Sequence, residues 1–169
     1  RDRTLAEWQF HLSMGAVSRH TIADVLARHG EGAVGQRYPS LLRALEDREV
    51  EGFLMGFVDL VFTHDDRWYV LDWKSNHLGN DVAAYDDDAL VTAMCEHHYV
   101  LQYHLYVLAL HRYLGQRLHG YDYDQHMGGA CYGFLRGIRA GGPRGWYVDR
   151  PPRALIAALD EMMRGAAAA

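Results

Sequence analysis

Gly52 to Asn76 reads GFLMGFVDLVFTHDDRWYVLDWKSN, with Glu51 in front. The stretch places an aspartate inside an apolar strand, turns, and closes a second apolar strand on Asp72-Trp73-Lys74. Asp59 stands among Phe57, Val58, Leu60, Val61 and Phe62, where an ionised carboxylate is costly unless something pairs with it. In Trp68 to Lys74 successive side chains alternate between faces, so Asp72 and Lys74 point the same way. His64-Asp65-Asp66-Arg67 is polar and short enough to be a hairpin turn. The hairpin then brings Asp59 beside Asp72 and Lys74.

Two carboxylates and an ammonium at the end of a sheet suit a hard cation. Mg²⁺ takes oxygen ligands, keeps several waters, and commonly uses one or two carboxylates plus phosphate oxygens. Asp59, Asp72, the backbone carbonyl of Trp73 and a scissile phosphate would make such a set, with Mn²⁺ as a substitute. Lys74 would orient a water or hold the phosphate as a point charge. The plainer reading fits the same spacing: D-x-K is short and common, Asp72 and Lys74 can form an ordinary surface ion pair, and Asp59 can cap a bulge.

The order of motifs adds a resemblance. Gly56 to Phe62 and Leu71 to Asn76 resemble the hairpin of the PD-(D/E)XK nucleases, and more narrowly the RecB-type nuclease domain of the RecBCD helicase–nuclease. Leu101-Gln102-Tyr103-His104-Leu105-Tyr106 resembles the Q-x-x-x-Y element of that group. Tyr121 to Asp124, Gly128-Gly129 and Tyr132 to Gly137 resemble the segment that follows it.

The resemblance implies an α/β, restriction-endonuclease-like mixed sheet flanked by helices, and roles residue by residue. Asp59 and Asp72 are implied as metal-binding acids and Lys74 as the catalytic lysine. Gln102 and Tyr106 are implied near the substrate strand, and Glu7, in Glu7-Trp8-Gln9-Phe10, as an additional acid; that match is short, and Glu7 also reads as a surface residue. The implied reaction is Mg²⁺-dependent hydrolysis of DNA in an exodeoxyribonuclease V-type assembly serving double-strand-break repair and recombination. RecC-like and RecD-like subunits and RecA are the implied partners. The group's metal-ligand histidine precedes its glutamate, whereas His11 and His20 follow Glu7. The expectation is therefore a single domain, 1–169, lacking the upstream helical segment.

Alternatives remain at this level. The same fold can serve as a docking module for RecA or sister subunits, without activity, and a CRISPR-associated or phage exonuclease would share the hairpin. The Tyr121 to Gly137 segment favours the RecB type over the latter.

A chain of 169 residues with 49% hydrophobic residues is enough for one core. No run approaches the length of a membrane span, and Arg1-Asp2-Arg3 opens no signal peptide. Cys95 and Cys131 lack metal-ligand spacing and read as buried thiols of a reducing cytoplasm. Eleven histidines form no H-E-x-x-H and no Cys/His cluster, which argues against zinc. The net charge of −5 counts against tight autonomous DNA binding. It suits a module fed with strand by neighbours, or a protein that never meets DNA.

The pattern predicts a strand over Ala6–Met14, a helix over Val17–His29 and a glycine-rich loop from Gly30 to Pro39. A short helix capped by Ser40 and running through Leu45 follows. After the hairpin, His77 to Asp88 reads as polar loop, with Asp86-Asp87-Asp88 at a helix N-terminus rather than at a second metal site. One long helix is predicted over Ala89–Leu114, with Gln102 and Tyr106 on a shared face. That pair also reads as a purely internal hydrogen-bonded couple. Strands over Gly129–Arg136 and Gly145–Val148 and a terminal helix after Pro151-Pro152 complete the chain, with a fraying alanine tail, Ala166 to Ala169.

Overall fold

The computed structural model describes residues 4–46 and 50–165, so the alanine tail lies outside the described residues. Five strands form one sheet in the order β1-β2-β3-β4-β5. They are β1 (Thr4–Val17), β2 (Val50–His64), β3 (Arg67–Lys74), β4 (Met127–Phe134) and β5 (Trp146–Asp149). Neighbours run antiparallel except β3 and β4, which are parallel. A parallel pair needs a long crossover. Helices α4 (Asp87–Glu96) and α5 (Tyr99–Arg117) supply it, so the ends of β3 and β4 open toward the same edge. This mixed sheet flanked by helices is the predicted α/β class.

The β2–β3 hairpin closes as the pattern requires. His64 pairs with Arg67 across Asp65 and Asp66, whose φ angles of 47° and 59° suit the left-handed two-residue turn that follows strand twist. α5 lies across the sheet and buries Val100, Tyr103, Tyr106, Val107, Leu108 and Leu110. On the sheet below it, Phe10, Val58, Val70, Ala130 and Tyr132 belong to the same core.

Several boundaries differ from the sequence expectations. Val17 ends β1, and Ser18 caps α1 (Arg19–His29) by accepting the Thr21 N–H at 3.1 Å. The glycine-rich segment folds into α2 (Gly32–Gln36). α3 spans Tyr38–Arg43 with Pro39 in its first turn, so Ser40 lies inside the helix instead of capping it. The single long helix is two. His98 adopts φ 56° and separates α4 from α5, with its Nδ1 3.0 Å from the Tyr38 hydroxyl. Asp86 caps α4 through the Ala89 N–H at 2.9 Å, with Asp87 and Asp88 in the first turn, as the dipole favours. A 3-10 turn, Val82–Ala84, precedes it. Asp122 caps an unpredicted short helix, α6 (Tyr123–His126). The terminal helix α7 (Arg153–Gly165) starts after Pro152 and buries Leu155, Ile156, Leu159 and Met163. Cys95 is buried, whereas Cys131 is half-buried.

Candidate active site

The open end of β3 gathers most of the residues singled out from the sequence. Asp72 and Lys74 point to the α5 side, as the period of two requires, and Asp72 is only 6% exposed. Burial raises its carboxyl above the ordinary 3.8; Lys74 opposes that rise and the nearby charge of Asp59 adds to it. Lys74 Nζ lies 2.5 Å from Asp72 Oδ2. The ion pair is nearly enclosed, with the two side chains 11% and 9% exposed, so it is not the surface pair of the plainer reading.

Lys74 is held from further directions. Its Nζ donates to Gln102 Oε1 at 3.0 Å, and the Tyr132 hydroxyl donates to the same oxygen at 2.9 Å. The ammonium stands 4.0 Å from the centroid of the Tyr99 ring and 5.1 Å from that of Tyr132, where the ring faces attract a cation. Tyr99 is itself oriented by donating to Asn76 Oδ1 at 3.1 Å. Gln102 therefore belongs to the lysine's own cage. Tyr106, one helical turn on, packs edge-on against Phe10 with centroids 5.5 Å apart. Burial, with the charges of Asp72 and Asp59, raises its phenol, while a hydrogen bond with Gln102 opposes the rise.

Asp59 escapes the cost of its apolar neighbours by facing solvent. The β2–β3 ladder ends at Leu60–Leu71, and Asp59 Oδ2 then accepts the Trp73 N–H at 2.9 Å. The side chain thus substitutes for a main-chain acceptor and leaves the two strands parted. In a strand the N–H and C=O of one residue point to the same side, so the Trp73 carbonyl is aimed into the same gap. Val58 and Val61 are both fully buried with Asp59 exposed between them, which breaks strict alternation there. Glu7 lies across from this break, between the Ala6–Leu60 and Trp8–Val58 pairs, with a φ of 50°. It is exposed and on the Asp59 side of the site, whereas His11 and His20 are exposed elsewhere on the chain.

Among the described residues no three His, Cys, Asp or Glu side chains are gathered around one point. The groups at this strand end that could hold a cation are the Asp59 and Asp72 carboxylates and the Trp73 carbonyl, all oxygen donors. This set fits a hard divalent cation that completes its shell with water and phosphate.

Tyr99, Tyr132 and Asn76 were not assigned roles from the sequence. Asn76 and Tyr132 lie in the quoted motifs, but only the parallel register Asp72–Tyr132 shows that Tyr132 stands beside the acid.

The PD-(D/E)XK nuclease superfamily model matches residues 6–168. The chain is 53% identical over 122 residues to the RecBCD enzyme subunit RecB of Escherichia coli, covering 72% of this chain and 10% of that protein. It is 43% identical over 117 residues to the same subunit of Haemophilus influenzae, covering 69% and 10%. With the subunit from Mycobacterium tuberculosis H37Rv it shares 36% over 158 residues, covering 87% and 14%. The chain thus spans between a tenth and a seventh of the length of these relatives. Matched over nearly its whole length by one family model, with Asp59, Asp72 and Lys74 gathered at one strand end, this chain belongs to the PD-(D/E)XK nuclease superfamily.

Proposed function

We propose that residues 1–169 act as one nuclease domain that hydrolyses DNA phosphodiesters with Mg²⁺, or Mn²⁺ in its place. Asp59, Asp72 and the Trp73 carbonyl would hold the cation, with Glu7 as an additional acid reached through water. When bound, the cation lowers the pKa of a coordinated water and offsets charge on the phosphate. The protein's part is positional. Lys74 keeps its proton on Nζ, between Asp72 and Gln102, and presents a remaining N–H to the attacking water or a non-bridging oxygen. Gln102 fixes the lysine, and Tyr106 supports Gln102 at the strand-facing wall.

The observation that carries this reading is the enclosed Asp72–Lys74–Gln102 chain of contacts. Mn²⁺ titration by calorimetry, beside cleavage of linear DNA, tests it. Saturable binding and cleavage should both vanish in Asp72→Ala, while Lys74→Ala should keep the metal and lose the cleavage. Cleavage that persists in Lys74→Ala overturns the assignment.

By similarity to RecB, the parent would be a subunit of an exodeoxyribonuclease V acting in double-strand-break repair and recombination in the cytoplasm. RecC-like and RecD-like subunits and RecA would be its partners. No helix among the described residues is long and apolar enough to cross a membrane. The docking reading draws on a different observation, the β2 stripe Phe53, Met55 and Phe57, exposed by 82%, 54% and 55%. Such a stripe suits a subunit contact, and it runs along β2 up to Phe57, two residues short of Asp59.

A further inference from the structure

Of the 17 lysines and arginines in the chain, Lys74 alone is a lysine, and its head group meets two kinds of partner. Oxygen acceptors are the first kind: Asp72 Oδ2 lies 2.5 Å from Nζ and Gln102 Oε1 lies 3.0 Å from it. Ring faces are the second, with the centroid of Tyr99 at 4.0 Å and that of Tyr132 at 5.1 Å. The two kinds differ in what they take. An oxygen acceptor uses up one N–H and is also a ligand for a hard cation. A ring face attracts the positive charge as a whole through its quadrupole. It claims no particular N–H and offers a hard cation no oxygen.

The distinction matters because Asp72 is asked to serve twice. It is the carboxylate paired with Lys74, and in the nuclease reading it also holds a cation. A carboxylate whose charge is shared attracts an ammonium less, and a neighbouring positive charge repels it. The neutral Gln102 and the rings are then what keeps the lysine in place, and Tyr99 is the nearer ring.

Tyr99 is fixed from three directions. It is the first residue of α5, directly after the left-handed turn at His98. Its hydroxyl donates to Asn76 Oδ1 at 3.1 Å, two residues beyond Lys74. The Asn76 carbonyl in turn accepts the Tyr85 hydroxyl at 3.2 Å, and that hydroxyl accepts the Leu78 N–H at 3.2 Å. The His97 ring stacks near that of Tyr99, with centroids 5.4 Å apart and planes 24° from parallel. The break between α4 and α5 thus serves to aim this ring at the strand end.

We infer that Tyr99 is a positioning residue whose ring face holds the Lys74 ammonium when the charge of Asp72 is drawn elsewhere, and that Asn76 sets the angle of the ring. The nuclease reading supplies the reason for that withdrawal of charge. The hold itself does not depend on hydrolysis.

A single lysine makes the test direct. In the 169-residue chain grown with isotope-labelled lysine, the ε-methylene protons seen by NMR belong to Lys74 alone. Two separate signals for the pair report a fixed side chain, and one merged signal reports a freely rotating one. Without metal, Asp72→Asn stands in for a carboxylate whose charge is withdrawn. The signals should stay separate in the unaltered chain, in Asp72→Asn and in Tyr99→Leu, and should merge in Asp72→Asn/Tyr99→Leu. Amide spectra would check that each variant is folded. In Mg²⁺, Tyr99→Leu should lower kcat for linear DNA by about tenfold. Phenylalanine and its mono-, di- and trifluorinated forms at position 99 keep the ring and progressively empty its face, so kcat should fall stepwise along that series.

Separate signals in the double variant, or merged signals in Asp72→Asn alone, overturn the assignment. A kcat that is level across the fluorinated series also overturns it, since the ring would then act only by filling space. The expected signal pattern without cleavage by any form would retain the hold of Tyr99 on Lys74 and remove only the hydrolytic reading.

Discussion

Asp59 Oδ2 accepts the main-chain N–H of Trp73 at 2.9 Å, at the point where β2 and β3 part. An aspartate that replaces a backbone acceptor keeps the strands together at one end and apart at the other. It is therefore both a hinge of the hairpin and a wall of the site. Asp59→Ala should cost about 1 kcal/mol of stability, the usual worth of one such bond, and should also abolish Mn²⁺ binding. Denaturant melts and calorimetry on the same sample separate the two; unchanged metal affinity would exclude Asp59 as a ligand.

Gln102→Leu removes the acceptor shared by Lys74 and Tyr132. Tyr132 is fully buried, so its hydroxyl is left unsatisfied at a cost of about 1–3 kcal/mol. The lysine also loses a contact that fixes its head. A drop in kcat of roughly tenfold, with Mn²⁺ affinity kept, is expected for a loss of about 1.4 kcal/mol in transition-state positioning. Tyr132→Phe should be milder, because Gln102 Oε1 keeps its charged donor. If the two variants are indistinguishable in kcat, Gln102 does not act through Lys74.

Gly133→Ala places a methyl 2.4 Å from the Trp73 ring. Overpacking of this kind costs about 1–3 kcal/mol, and the strain falls on the residue whose N–H and carbonyl line the site. Gly133→Ala should therefore lower both melting temperature and kcat. A crystal structure of the variant would show Trp73 displaced; an unmoved Trp73 would count against the coupling.

His104 is fully buried on α5, with Nδ1 2.7 Å from the Val100 carbonyl and, among the described residues, no partner for Nε2. Desolvation pushes its pKa down to about 4. In the unfolded chain the ring takes a proton near 6.5, while the folded protein keeps it neutral until about pH 4. The unfolded state thus binds more protons across this window, and stability is lost as pH falls through it, by roughly 3 kcal/mol in all. His104→Leu should flatten that dependence, with urea midpoints at pH 7.5 and 5 moving together. A slope equal to that of the unaltered chain would assign the acid sensitivity elsewhere.

The hairpin and the side chains it gathers were legible because they depend on local rules. Alternation puts Asp72 and Lys74 on one face, and two aspartates suit a tight turn. The break between α4 and α5 was not legible, since it rests on a left-handed histidine held by Tyr38, with no glycine or proline to announce it. α2 was hidden by the glycines around it, where packing overrides weak helix propensity, whereas α3 was foreseen but begins at Tyr38, ahead of the expected Ser40 cap. The Tyr99–Tyr132 cage depends on a parallel register and a helix crossing, neither of which leaves a trace in residue spacing. Asp59 was expected to need a partner because of its apolar neighbours. The structure meets that need by exposing it, which required the interruption of alternation opposite Glu7.

The enclosure of Lys74 has a consequence for timing. A free lysine side chain samples many rotamers, worth about 2 kcal/mol of entropy. Here an acid, an amide and two aromatic rings remove that freedom while the chain folds. On the proposed reading, an arriving phosphate would meet an ammonium that has already stopped searching, so the ordering would occur once in the life of the molecule instead of once per turnover.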